Sequence, residues 1–456
     1  MLQKNSLNIF LIFIVFHLSI WTLIPSLSNI NLPLDTIEHL AWSTNLNLGY
    51  SKHPPMIALV LNFFYNFFKS NDWAYYFLSQ LFIVISFIYV WMFSQEILKD
   101  KVLSLLSVLI LEAIVFHNYT TPEFNVYICQ LPFKVLTVYY CWKSLTRNKI
   151  YDWSLFGLFA ALGFLTHYSF IFIILSIKIF FIIKIFKDKK FYLTYLIPGT
   201  IFLLMISPHV MWLFENNFST ITYALQRSGL ENKSYLDHLI NPFIFLLKQI
   251  GILLPAVFLI YLVVNKMNFK INLKDKKLLF LIFINLIPIF LVFLTSFLTG
   301  AKIRTMWMST FYLFFGTFLF YIFAKKVDKN RLKKFLYCLT FIFLLSPISY
   351  LYISLSNDFK RTDYQGKEIS RLVQNKWNKN FSNNIDVVIG DAWYAGNLSY
   401  HLNSRPKWFE TLEDNLENIK ETAGFIYTGN PKVLKDICPG VFGIIKPVGY
   451  CMIGTK

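Results

Sequence analysis

Apolar residues run through this chain in long blocks parted by short polar stretches, from the N-terminus to about residue 355. Blocks near 8–30, 73–95, 102–118, 126–143, 153–168, 170–186, 191–213, 241–264, 278–298, 305–324 and 335–355 predict about eleven membrane helices. A bilayer core takes about 20 such residues per helix. The 153–186 stretch is continuous and divides at His167-Tyr168-Ser169. Pro55–Phe68 is apolar but too short to span, which suits a segment lying along the interface or re-entering. Beyond residue 355 the pattern changes. Asp386-Val387-Val388-Ile389-Gly390 reads as a buried strand, Trp393–Leu402 and Leu412–Thr422 as helices, and Gly424–Thr428 and Phe442–Lys446 as further strands. The expected fold is mainly α: a polytopic membrane domain over 1–355, then a small external α/β domain over 356–456.

Composition agrees. Hydrophobic residues make up 56% of the chain and charged ones 15%, against about a quarter charged in soluble domains. The first apolar block is long and lacks a clear cleavage site, so it is expected to stay as a membrane helix. A net charge of +18 would suggest nucleic acid in a soluble protein. Here the charge sits in clusters between spans: Lys99 and Lys101; Lys143, Arg147 and Lys149; Lys184 to Lys190; Lys266 to Lys277; Lys325 to Lys334. With a cytoplasmic N-terminus all five clusters fall inside, as the positive-inside rule requires, and residues 356–456 fall outside. Cys129, Cys141 and Cys338 lie in spans, while Cys438 and Cys451 lie in the external domain. An oxidising periplasm would let that pair form a disulfide; two free thiols is the alternative.

This topology gathers unusual polar residues at one face. Asp35, Glu38, His39, Lys52 and His53 fall in the first external loop. Glu112, His117 and Glu123 border the third span, and His167, His209, Arg227, Lys302 and Arg304 stand at other outer ends. Ionisable groups bordering apolar segments are costly and usually line a cavity. Sugar transfer from a lipid phosphate suits such a place. A carboxylate takes the acceptor proton, and cations hold the charge that grows on the leaving phosphate. Asp35 is the leading base, although its position also suits a helix N-cap. Lys52, Lys302 and Arg304 are phosphate-facing candidates, and the planar fork of Arg304 fits best.

Leu34-Asp35-Thr36-Ile37-Glu38-His39 followed by Gly49-Tyr50-Ser51-Lys52-His53-Pro54-Pro55 resembles the first external loop of family 39-like glycosyltransferases of the GT-C type, the group of protein mannosyltransferases and lipid A aminoarabinose transferases. Gly163–Ser169, Ser207–Leu213, Arg304–Trp307 and Gly390–Asn397 also resemble bacterial members. The likeness implies a GT-C fold, an undecaprenyl-phosphate-linked sugar donor, a periplasmic active site in the bacterial inner membrane, and Asp35 as the catalytic or acceptor-orienting carboxylate. Family members commonly carry a second acid where Gln130-Leu131-Pro132 stands here, and Glu123 and Asn125 are nearby substitutes. The expected catalytic set is therefore Asp35, Glu38 and Glu123, with Lys52, His53, His167, His209, Lys302 and Arg304 binding donor phosphate or substrate. The expected activity is inverting transfer of a monosaccharide to an envelope acceptor such as lipid A. No cofactor is implied outright. External His and Glu residues leave a divalent metal open, although no spacing such as HExxH occurs. A transporter or flippase for a lipid-linked or polar solute is the alternative, and would place its ionisable groups near the bilayer midplane. A noncatalytic scaffold is a third reading.

Overall fold

The computed structural model describes residues 2–229, 234–265, 272–357, 359–411, 422–445 and 448–456. The helical part runs α1 (Leu2–Ser28), α2 (Leu34–Trp42), α3 (Met56–Phe68), α4 (Asp72–Leu98), α5 (Lys101–Leu109), α6 (Val126–Arg147), α7 (Ile150–Phe164), α8 (Ile171–Asp188), α9 (Ile197–Glu215), α10 (Ser219–Arg227), α11 (Asp237–Val263), α12 (Lys276–Thr299), α13 (Phe315–Phe323) and α14 (Leu332–Ser356). Among the described residues, seven helices are long and apolar enough to cross a membrane: those built on α1, α4, α8, α9, α11, α12 and α14. The count is eight if the bent pair Thr305–Tyr312 and Phe315–Lys326 forms one span. The chain is thus a multi-pass membrane protein, but the expected eleven spans are too many.

Three of the expected blocks account for the difference between eleven and eight, and the bent pair at 305–326 for that between eight and seven. The block at 102–118 stops being α-helical at Leu109 and continues as two 3-10 turns, Ile110–Ala113 and Val115–His117. There the buried Glu112 and Asn118 bond each other's backbone or side chain rather than continuing the helix, through the Asn118 amide and the Glu112 carbonyl. The block at 153–168 is α7, with 15 residues. The block at 126–143 is α6, a 22-residue helix that carries Gln130, Lys134, Lys143 and Arg147. The basic loop at 266–271 lies outside the described residues.

Short α2 and α3 follow α1, and α2 is buried from Thr36 to Trp42. Asp35 does not cap α2: Pro33 holds the N-cap position and makes no side-chain cap bond. Pro54-Pro55 ends the loop and Met56 begins α3, its N–H donating to the Leu165 carbonyl at 3.1 Å. One face of α3 is buried through Ile57, Ala58, Leu61, Phe64 and Tyr65, while Phe63 and Phe67 are exposed, as fits an interfacial helix. Gly49 is required by close approach, because a Cβ there would stand 2.3 Å from the Trp212 ring.

The C-terminal part consists of α15 (Gly366–Asn380), β1 (Ile385–Ile389), α16 (Tyr394–His401), β2 (Lys407–Phe409), β3 (Gly424–Gly429), α17 (Pro431–Ile437), β4 (Val441–Ile445) and β5 (Val448–Ile453). Its sheet has the order β2-β1-β3-β5-β4, parallel from β2 to β3 and antiparallel beyond. β1, nearly all apolar, is buried between two parallel neighbours. α15 seats Ile369, Val373 and Trp377 on the core, a spacing of four that puts all three on one face. The expected helix at 412–422 falls on 412–421, outside the described residues, as does residue 446, the end of the last expected strand. Cys438 and Cys451 are joined by a disulfide.

The sheet docks onto α2 and its neighbours through polar and close apolar contacts. Gly396 of α16 faces Ala41 and Ile37 of α2, where a Cβ would lie 3.2 Å from both side chains. Asn31 donates to Asn397 Oδ1 at 2.7 Å in a buried site. Arg405 lies 3.1 Å from the Tyr65 ring centroid and donates to Ser43 Oγ at 2.7 Å. Tyr400 donates to Asp72 at 2.7 Å. These contacts fix the sheet above α2, on the side where the polar residues gather.

Candidate active site

A cavity of about 670 Å³ opens between α2, the loops before α3 and α6, the turn after α7, α10 and the segment after α12. Asp35, Glu38, Lys52, His53, Glu123, His167 and Arg304, all singled out in the sequence, line it. Residues from 35 to 304 thus meet in one space.

The acidic side rests on α2 and the Glu123–Asn125 loop. The Asp35 N–H donates to Glu123 Oε1 at 3.1 Å, and the Thr36 hydroxyl donates to the Phe124 carbonyl at 3.2 Å. Asn125 then caps α6, accepting from the N–H groups of Tyr127 and Ile128 at 3.1 and 3.2 Å. The carboxyl groups of Asp35 and Glu123 share one corner. Burial pushes Glu123 up to about 8, helped by the Asp35 charge. Burial also raises Asp35, but Lys52, Arg361 and Arg227 oppose it. Both acids are shifted upward, Glu123 well above the ordinary carboxyl range, while the cations around Asp35 favour its charge without cancelling the rise that burial causes. The place of Asp35 in the first turn of α2 favours that charge too.

One turn further along α2, Glu38 pairs with Lys52. Burial raises Glu38 and Lys52 pulls it back. For Lys52 burial works downward, but the Glu38 pair outweighs it and the net shift is upward. His39, His53 and His167 form a neutral aromatic wall. The His53 ring lies 5.9 Å from His39 and 5.4 Å from His167, and His167 lies 5.2 Å from Tyr127. Burial holds all three below the ordinary histidine value, His167 at about 4 and His39 at about 3.

Two expected binding residues stand elsewhere. His209 lies behind the wall: its Nδ1–H donates to the Leu48 carbonyl at 2.6 Å, leaving Nε2 to accept from the Tyr168 hydroxyl at 2.7 Å. It thereby orients Tyr168, which does line the cavity. Lys302 is exposed and outside the lining; only its backbone is engaged, donating to the Ser228 carbonyl at 3.0 Å. Gln130 holds the turn that carries His167, donating to the carbonyls of Gly163 and His167 at 3.0 and 2.8 Å. Sequence reasoning passed over Arg361, Tyr127 and Tyr223 on the lining. Arg361 carried no local signal, standing in a polar stretch far from the other cations.

An apolar groove of about 220 Å³ adjoins the cavity, sharing Ser169, Phe172, Ser228 and Trp307 with it and continuing along Leu225, Val292 and Phe311. Arg304 stands in the cavity beside Ile303, which lines the groove. Among the described residues no three His, Cys, Asp or Glu side chains come together so as to hold a metal ion.

The family model described as dolichyl-phosphate-mannose-protein mannosyltransferase matches residues 52–212, about a third of the chain. Comparison with curated proteins by sequence gives no match. The chain is similar in structure to ArnT from Cupriavidus metallidurans bound to undecaprenyl phosphate, with a TM-score of 0.67 at 10% identity over 97% of both chains. The apo state of that protein gives 0.65 at 9% identity over 98% of both. At such identity the likeness shows the fold alone: the chain has the fold of ArnT.

Proposed function

We propose that this protein is a glycosyltransferase that moves a monosaccharide from a polyprenyl phosphate, undecaprenyl phosphate in a bacterium, to an envelope acceptor. The observation that carries the reading is the cavity itself. It sets Asp35 and Glu123 in one space with Arg227 and Arg304, next to an apolar groove. A lipid donor with its first isoprene units in that groove would bring its phosphate to Arg304 and its sugar toward Asp35. Asp35 takes the proton of the acceptor hydroxyl as its oxygen attacks the anomeric carbon. The bond from that carbon to the phosphate oxygen breaks, and the electron pair leaves with the phosphate. Arg304 and Arg227 hold the charge that develops there. Direct displacement inverts the anomeric centre. Glu123, carrying a proton, donates a hydrogen bond to substrate and does not compete as a base. Lys52, oriented by Glu38, and the wall of His53 and His167 shape the sugar site.

The same reading makes residues 1–355 the transferase domain and 356–456 a periplasmic domain, with the N-terminus cytoplasmic in the inner membrane. The fold shared with ArnT supports a lipid-linked donor, and lipid A is the favoured acceptor. Membrane lipids are the surrounding partners, and nucleic acid has no place in it.

The test is a knockout strain complemented with wild type or Asp35→Asn, with both proteins checked for arrival in the membrane. Lipid A and surface glycans are read by mass spectrometry. A sugar-sized mass lost in the knockout and restored only by wild type is the expected result. Equal restoration by both removes Asp35 from the chemistry. No glycan change in the knockout favours transport instead.

A further inference from the structure

We propose that Arg361 is a positioning residue, inserted beside Asp35 and Glu123 by the segment that joins the last span to the C-terminal sheet, so that docking of the sheet completes the charge of the cavity. The inference rests on the transferase reading above, because it acts through the carboxyl group assigned there as the base.

The geometry begins with the backbone. Arg361 opens a 3-10 turn, Arg361–Asp363, that follows α14. The turn is held from three directions. The Thr362 carbonyl accepts from the N–H groups of Ile30 and Asn31 at 3.0 and 2.9 Å, which ties it to the chain just before α2. Lys360 reaches back to Ser354 Oγ at 3.0 Å and pairs with Asp363 at 3.3 Å, which ties it to the end of α14. On the sheet side, the Tyr364 ring packs 5.4 Å from Trp393 and 5.9 Å from Tyr394. Asn31 itself donates to Asn397 of α16, so the strap and the docked sheet share one anchor. A turn so held cannot swing freely, and it presents Arg361 at the mouth of the cavity.

The charges around the pair show what Arg361 adds. Asp35 faces Lys52 and Arg227 as well as Arg361, with Glu38 on its own helix and Tyr127 from α6. Glu123 faces Asp35, the Asn125 amide, Arg361, and the hydroxyls of Tyr76 and Tyr350. Lys52 is engaged by Glu38, and Arg227 is a further cation acting on Asp35. Arg361 is thus the cation whose field lowers both carboxyl groups. Removing it leaves two carboxyl groups sharing a corner with less positive charge, and both then hold protons to higher pH. Asp35 would then hold its proton more readily, against the role of a base.

Dicyclohexylcarbodiimide, which reacts with protonated carboxyl groups in apolar surroundings, reads this without a substrate. The purified full chain in detergent is labelled over a range of pH, and adducts on Asp35 and Glu123 are quantified by peptide mass spectrometry. In Arg361→Gln the pH of half-labelling is expected to rise by about half a unit or more for both residues, and Arg361→Lys is expected to restore it. Asn31→Leu, which removes the side-chain anchor to Asn397 of the docked sheet and keeps the backbone bond to Thr362, should shift labelling the same way by a smaller amount. No shift in Arg361→Gln, with the disulfide and elution profile unchanged, overturns the inference. A shift that Arg361→Lys fails to restore overturns it too, because a disturbed fold would then be the cause. The knockout assay separates the two claims: no glycan change in the knockout sinks the transferase reading, and full activity of Asp35→Asn removes Asp35 from the chemistry, whatever Arg361 does to labelling.

Discussion

The protein holds two clusters of ionisable side chains among its helices, and they meet the cost of burial differently. Around the cavity, Asp35 faces Lys52, Arg227 and Arg361, Glu38 holds Lys52, and about 670 Å³ of space lies between them. Deeper in the helical part, His17 Nδ1 meets Glu112 Oε1 at 2.6 Å, His117 Nε2 donates to the Ser309 carbonyl at 3.1 Å, and the Lys134 ammonium lies 4.2 Å from the Phe311 ring centroid. These four side chains are fully buried and none lines the cavity. His17 lies eleven residues from the end of α1, about 16 Å of helix rise. Burial alone therefore does not mark the site. What distinguishes the cavity is charge facing open space, whereas in the deeper set His17 pairs with Glu112 and Lys134 Nζ packs on the Phe311 ring with no hydrogen-bond partner among the described residues.

Substitutions can break or sharpen this contrast. The largest effect on activity is expected at Asp35: Asp35→Asn should cost about 10²–10⁴-fold in transfer rate, with the melting temperature in detergent unchanged. The deeper pair should behave in the opposite way. Glu112→Ala leaves His17 buried without its partner and should cost about 3–5 kcal/mol of stability, while transfer per folded molecule stays close to wild type. Loss of activity without loss of stability there would place the pair in the mechanism.

A smaller effect separates the two acids of the cavity. Glu123 is held up to about 8 by burial and by Asp35. The folded protein thus keeps a proton that the unfolded chain has already released, so this stabilisation is full below the ordinary carboxyl range and is lost as pH rises through about 8. The wild-type melting temperature should fall by a few degrees more than that of Glu123→Gln between about pH 6 and about pH 9. Transfer by wild type should decline over the upper part of that interval, and Glu123→Gln, which always carries a donor, should resist the decline. Identical pH profiles would show that Glu123 holds no proton at neutral pH. The smallest effect is expected at Lys302: Lys302→Ala should alter stability by less than about 0.5 kcal/mol and leave transfer nearly unchanged, since the side chain stands outside the lining.

Much of this was legible because the signals are local. Long apolar blocks such as Asp237–Val263 and Lys276–Thr299 announce themselves, since a helix crossing lipid must satisfy its own backbone and present apolar side chains throughout. The blocks that misled are those where polar groups interrupt the run: Glu112 and His117 break α5 into 3-10 turns, and the 15 residues of α7 end before His167. α15 was missed although Ile369, Val373 and Trp377 mark one face of a helix at a spacing of four; the lysines and asparagines between them hid it. β2 has three residues, too few for a pattern. In the site, the Asp35–His53 segment was readable because its acids and cations lie close together along the chain. His209 and Lys302 looked equivalent to them, but one is turned into a hydrogen bond behind Tyr168 and the other faces away from the cavity.

The sequence by itself determined that the chain lives in a membrane, that its unusual polar residues cluster about one face, and that Asp35 heads the list. Those follow from hydrophobicity and charge, which add up residue by residue. Only the tertiary structure decided that Glu123 shares a corner with Asp35, that Gln130 holds a turn, and that Arg361, more than three hundred residues from Asp35, joins the same cavity. The reason is physical. The charge state of a carboxyl group depends on what lies within a few ångströms of it, and such neighbours are set by how helices and sheet pack, not by their order along the chain.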